Sequence, residues 1–199
     1  MVKIYALSIL FKGATDAKFL KNAHELQSFG YFQRGSVQEF MGFVSKTVVE
    51  RTPLSTRQSV KEGEYMCHVY VRGDSLGGVV ICDHEYPQRV AHTLITKILD
   101  EFVHAYPSGG WPSLTEREVE FNQLNVYLNK YQNPREADAM TKMQEDLDET
   151  KIILHNTIEA VLQRGEKLDD LVVKSEGLSI QSKAFYKTAR KTNSCCTFG

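Results

Sequence analysis

The 199-residue chain lacks any run of 18 or more apolar residues, so no stretch of it reads as a helix able to cross a bilayer. An excess of charge is missing too: 24 Lys and Arg against 25 Asp and Glu leave a formal net charge of −1. No global basic field therefore exists to hold nucleic acid or an anionic membrane. Cysteine is scarce. Cys67 and Cys82 sit in strand-like runs, while Cys195 and Cys196 are adjacent near the C-terminus. That is neither a disulfide framework nor a metal-ligand spacing, and it points to a reducing, cytosolic setting. Residues 1–10 show no small-residue cleavage site, so no signal peptide is expected.

Catalytic signatures are also missing. Gly30-x-x-x-x-Gly35-Ser36 has P-loop spacing, but without a lysine before the serine the phosphate has no countercharge. Neither a Gly-x-Ser-x-Gly elbow nor a His-Glu-x-x-His pair occurs. The six histidines are scattered with no i,i+4 pair, so no metal site is expected. Cys67 and Cys82 read as small core residues. No cofactor and no enzymatic activity are expected.

The first two thirds of the chain read as a folded α+β unit. Val2 to Leu10 is a β-rich run, and a second extended piece is expected at 29–33. Ser36 and Glu39 have capping-box spacing, opening a helix to about Arg51, before Pro53. Three strands are expected at 56–61, 65–72 and 76–82, the last two joined by Gly73-Asp74-Ser75, which is hairpin chemistry. Pro87 suits the first turn of a helix carrying Val90, Ala91, Leu94, Ile95, Ile98 and Phe102 at helical spacing. Ser113 and Glu116 suggest another capping box, opening a helix towards Tyr131. The order β-β-α-β-β-β-α-α implies an antiparallel sheet with helices against it. Asn133-Pro134 marks a boundary, because the residue before proline is pushed out of the α region.

Beyond it, alternate steps of three and four residues pick out Met140, Met143, Leu147, Thr150, Leu154, Thr157, Val161, Arg164, Leu168, Leu171, Ser175, Leu178, Ser182, Phe185, Ala189 and Thr192. The register never slips. As one helix this stretch would be roughly 80 Å long. Several seam residues are small or hydroxylated, and Arg164 sits near the middle. A buried guanidinium is costly unless partner oxygens satisfy its donors. In a four-helix bundle offering amide oxygens at that level, it sets the register; the plainer alternative is a solvated arginine on a helix packed against its own domain.

Residues 161–171, Val-Leu-Gln-Arg-Gly-Glu-Lys-Leu-Asp-Asp-Leu, resemble the central layers of R-SNAREs, with Arg164 at the ionic layer. Glu149-Thr150-Lys151 and Phe185 fit the same family, and the N-terminal part resembles the longin (profilin-like) domain. Paired terminal cysteines without a membrane span match the prenylated longin R-SNAREs, which cycle between cytosol and Golgi, vesicle, endosomal and vacuolar or lysosomal membranes. The resemblance implies a longin domain (1–131) with a five-stranded antiparallel sheet and three helices, a linker (132–138), an R-SNARE coiled-coil motif (139–193) and a lipidation tail (194–199). It implies membrane fusion through a four-helix bundle with three Q-SNARE helices, syntaxin-like and SNAP-like. It also implies covalent lipid in place of a cofactor: prenyl on Cys196, four from the end, and palmitoyl on Cys195. One chain gives marginal anchoring and two give stable anchoring, with Lys183, Lys187, Arg190 and Lys191 adding local attraction to an anionic leaflet. Phe198-Gly199 departs from the usual prenylation ending.

On the helix from Ser36, Val37, Phe40, Met41, Val44 and Val48 share one stripe, and Phe43 lies about 120° away from its centre. In the resembling family the longin domain folds back on its own SNARE helix, and Phe43 is the expected self-docking anchor. Two rival readings are a non-fusogenic longin adaptor or tether, and an acyl-transferring thiol enzyme; the second needs a thiol of depressed pKa.

Overall fold

The computed structural model describes residues 3–141, 147 and 151–194. Strands β1 (Ile4–Lys12), β2 (Ala17–His24), β3 (Thr56–Glu62), β4 (Tyr65–Val71) and β5 (Leu76–Asp83) form an antiparallel sheet in the order β2-β1-β5-β4-β3. Helix α1 (Arg34–Arg51) packs on one face. Helices α2 (Gln88–Ala105), α3 (Gln123–Lys130) and α4 (Pro134–Thr141) pack on the other. The expected β-β-α-β-β-β-α-α order holds. The central strand β5 is covered on both faces, which is why Leu76–Cys82 is buried throughout and reads as an apolar run rather than an alternation.

Gly77 and Gly78 let both layers approach this strand. A β-carbon on Gly77 would lie 3.2 Å from Val49 Cγ1 of α1, and one on Gly78 would lie 2.7 Å from Ile95 Cγ2 of α2. The α2-side core joins Ile4, Leu7, Ile9 and Val80 to Leu94, Ile98, Phe102, Trp111 and Tyr131. Gln132 seals that end of the domain: its Oε1 accepts from the Ile4 amide at 3.1 Å and its Nε2 donates to Ile4 O at 2.8 Å. The 132–138 stretch expected as linker contains the start of α4, whose Ala137 is buried within this core.

Three local expectations are corrected. The second strand is Ala17–His24, not 29–33. It is an edge strand with three buried residues in eight, so its apolar signal is weak, and 31–33 forms a single 3-10 turn instead. Helix α1 begins at Arg34, so Ser36 is buried inside the helix and caps nothing. The helix expected from Ser113 starts at Gln123; the carboxylate that closes the preceding turn is Glu118, which accepts from the Thr115 amide at 2.8 Å.

Between β3, β4 and α2 lies a buried polar group. Ser59 Oγ is 2.7 Å from His68 Nδ1 and 3.0 Å from His92 Nε2. Burial pushes His68 down to about 4 from the usual 6.5, and lowers His92 as well, reinforced by His68 and Arg57. Both rings are neutral in the fold, while the unfolded chain takes up protons below about pH 6.5. Stability is therefore lost as pH falls from 6.5 towards 4. His68 alone gives a loss of about 2 kcal/mol by pH 5. Urea unfolding at pH 7 and pH 5 checks this: His68→Gln should flatten the difference, and an unchanged difference would remove His68 as its source.

Candidate functional site

The seam residues should form one helix from 140 to 192, and they do not. From Ile152 onward the chain wraps around the α1 face in short pieces. Strand β6 (Ile153–His155) adds parallel to β3 as a sixth strand, pairing Gln58 with Ile153, Ser59 with Leu154 and Val60 with His155. A 3-10 turn follows at Ile158–Val161, then α5 (Leu168–Lys174) and α6 (Ile180–Ser194). The physical reason is the stripe itself. A single helix with an uncovered apolar seam gains nothing from its length, because helices in water are stabilised mainly by packing. Breaking it lets the chain follow the curvature of the domain, with Gly165 taking φ +87° in the turn before α5.

The wrap buries a different residue set from the seam. Ile152, Ile158, Leu168, Val172, Leu178 and Ser182 are buried, of which only Leu168, Leu178 and Ser182 belong to the seam. Leu147, Val161, Leu171, Ser175 and Phe185 are half-buried. Leu154, Thr157, Arg164 and Ala189 are exposed. Met143, Thr150, Cys195 and Cys196 lie outside the described residues, and for Met140 and Thr192 only the backbone is described.

Two side chains of α1 hold the wrap by polar contacts. At the C-terminal end of the helix, Arg51 grips Glu166 with two bonds, Nε to Oε2 at 3.0 Å and Nη2 to Oε1 at 2.8 Å. Near its start, Glu39 Oε2 accepts from the Ser179 amide at 2.9 Å and from Ser182 Oγ at 2.6 Å. The glutamate read as a helix cap thus reaches across to the docked segment. Within that segment Asp169 accepts from Tyr186 at 2.7 Å and pairs with Arg190, bracing α5 against α6. Arg51 holds the Glu166 carboxyl below its ordinary range, and the Ser182 hydroxyl with the Ser179 amide does the same for Glu39. A depressed carboxylate stabilises docking above its free pKa, so these contacts fade as pH falls below about 4.5.

Arg51→Glu should loosen α5, and Glu166→Arg added to it should restore most of the loss, with a coupling of about 1 kcal/mol for a half-shielded bidentate pair. Hydrogen exchange at Val172 and neighbouring amides measures it. Equal exchange in the single and double variants would show the pair to be idle.

Between these contacts lies apolar ground. Phe40 stacks on Tyr186 with ring centroids 5.2 Å apart and planes at 24°. A cavity of about 170 Å³ beside it is lined by Phe29, Phe40, Val60, Ile158, Leu168 and Phe185, among others. Phe43 is half-buried and faces a wider groove of about 850 Å³ shared with Leu171, Lys174 and Ser175. The expected anchor shares that groove with the folded-back segment, and the ring contact to that segment is made by Phe40. Sequence reasoning missed Arg51, Glu39 and Glu166 in these roles, because their partners lie 115 to 143 residues away in the chain.

Among the described residues no side chain is set up as a nucleophile. Burial raises the Cys67 thiol to about 12 and also holds Cys82 well above the ordinary thiol value. Protonated, dry thiols are poor nucleophiles, which removes the basis for a thiol enzyme. Among the described residues no cluster of metal-ligating side chains occurs, and no helix is long and apolar enough to cross a membrane.

Comparison with known proteins agrees with this architecture. Residues 26–128 match the longin, or regulated-SNARE-like, domain family, and residues 139–197 match the synaptobrevin family. The chain is 50% identical over 197 residues to the synaptobrevin homolog YKT6 of Saccharomyces cerevisiae, covering 98% of both chains. It is 51% identical over 195 residues to the synaptobrevin homolog ykt6 of Schizosaccharomyces pombe, again with 98% coverage of each. With a longin sheet, a synaptobrevin segment and Arg164 in that segment, the chain belongs to the longin-type R-SNARE family, whose members act in vesicle trafficking and are not enzymes.

Proposed function

We propose that this protein is a self-masking R-SNARE that drives vesicle docking and membrane fusion by zippering residues 139–193 with three Q-SNARE helices. The observation that supports this most directly is double use of one segment. Leu168, Leu178 and Ser182 would face partner helices in a bundle, and here they are buried against the longin domain. The two arrangements exclude each other, so the closed form is autoinhibited and partner helices must compete with Arg51, Glu39 and the α1 face. Opening costs a few kcal/mol and is offset by burial along the whole bundle. Arg164, exposed in the closed form, becomes the ionic layer when partner amide oxygens surround it.

Anchoring follows the same logic. A prenyl chain on Cys196 would leave an apolar tail in water, and the cavity lined by Phe29, Phe40 and Phe185 offers it cover in the closed form. Palmitoylation of Cys195 would add the second chain needed for stable attachment, so the protein would cycle from cytosol to Golgi, vesicle, endosomal and vacuolar membranes. Mixing the chain with three glutamine-type helices tests the fusion role. A heat-resistant complex of one copy each is expected; binding that survives scrambling of 139–193 would instead indicate a tether.

A further inference from the structure

The segment before α1 carries two large rings left exposed among the described residues. Tyr31 is 78% exposed and Phe32 is 88% exposed. They are held, not loose. The rings sit on the 3-10 turn closed by the Gln33 amide to Gly30 O at 2.8 Å, and they contact each other edge to face at 5.5 Å. Behind them, Arg34 donates from Nε to Phe29 O at 3.1 Å and from Nη2 to Gln27 O at 3.2 Å. Its guanidinium lies 6.0 Å from the Tyr31 ring centre. The result is a fixed apolar tip with a cation at its base.

The surroundings of this tip point to one kind of partner. Phe29, two residues earlier, lines the apolar cavity whose other wall is Phe185 of α6. On α6, Lys183, Lys187 and Lys191 recur every four residues, and the last two are exposed. The apolar tip thus stands beside that cavity with the Arg34 guanidinium at its base, while the α6 lysines lie on a different face of their helix from Phe185. We propose that Tyr31 and Phe32 form a bilayer-contact tip, through which the closed form rests on an anionic lipid surface before any lipid anchor is released. Two rings on a convex turn are far smaller than the roughly 800 Å² per partner of a standard protein interface. A bilayer needs no complementary shape. Aromatic rings favour its headgroup level, and Arg34 at the base of the tip would sit among the phosphates. The contact requires no lipid on either terminal cysteine.

The test uses the full chain with Cys195→Ser and Cys196→Ser, so that lipidation cannot contribute. With Phe32→Trp added, vesicles of phosphatidylcholine and phosphatidylserine carrying brominated acyl chains should shift the new emission to the blue and quench it. Trp111, only 1% exposed, should be unaffected in the parent chain and serves as the internal control. Tyr31→Ser with Phe32→Ser should lower the vesicle-bound fraction about fivefold, equivalent to about 1 kcal/mol. Circular dichroism of that variant should be unchanged. Arg34→Gln should weaken the dependence on phosphatidylserine while leaving quenching by brominated phosphatidylcholine. An unquenched tryptophan at position 32, or a serine variant that floats with vesicles as well as the parent, overturns the proposal. So does a soluble protein partner that needs the two rings when vesicles do not. None of these outcomes bears on assembly with Q-SNARE helices, which is measured without vesicles.

Discussion

Phe40→Glu is expected to release residues 166–190 from the longin domain, raising hydrogen exchange throughout α5 and α6 by about a hundredfold. Phe40 touches Tyr186 face to face and closes the cavity that also holds Ile158, Leu168 and Phe185. Losing one half-buried aromatic, its stacking on Tyr186 and its part in closing the cavity removes about 2 to 3 kcal/mol. A carboxylate placed against that apolar wall adds a desolvation cost on the docked side only. The open chain should also show a larger hydrodynamic radius, because a wrapped segment becomes an unattached one. Phe43→Glu should act in the same direction but more weakly, by about fivefold, since a carboxylate there enters a wide groove lined by charged groups of both signs, where it keeps contact with water. Equal opening by the two variants would mean that the groove around Phe43 is tighter than its shape indicates. Protection of α6 amides in Phe40→Glu would show that the wrap is held elsewhere.

Arg164→Ala separates the two states of the protein in the opposite way. Arg164 is exposed in the wrapped form, in the turn that Gly165 completes. Its truncation should therefore leave the stability and exchange pattern of the free chain within about 0.5 kcal/mol. In the proposed bundle with Q-SNARE helices the same change would strand the amide oxygens facing the guanidinium. Removing one partner of such a buried polar layer costs about 3 to 5 kcal/mol. Thermal dissociation of the assembled complex reads this as a marked drop in midpoint. A complex that melts unchanged would take the ionic-layer role away from Arg164. A free chain that opens on Arg164→Ala would assign it a part in the closed form.

Some of this architecture was legible because the signal is local. Gly73-Asp74-Ser75 announces the β4–β5 hairpin by its own turn chemistry, and Ser75 takes φ +71° there. Helix α2 is legible because Val90, Leu94, Ile98 and Phe102 repeat at helical spacing and all face one core. Strand β2 was misplaced because Ala17, Leu20 and Ala23 are its only buried residues, and no two-residue alternation runs through them. Ser36 and Glu39 have the spacing of a capping box, yet spacing does not say where a helix begins. With the helix starting at Arg34, Glu39 is free to bind Ser179 and Ser182 instead.

The amino-acid order by itself determined the class of the domain, the unbroken seam and the arginine within it, since each depends on neighbours a few residues apart. Only the tertiary structure decided what that seam does when no partner helices are present. A stripe of apolar residues records that something must cover it, but not what. Here the cover is a curved wall of α1 and the open edge of β3, and following it costs the long helix its continuity. Contacts such as Arg51 with Glu166 arise from that curvature, between residues that no short-range pattern connects.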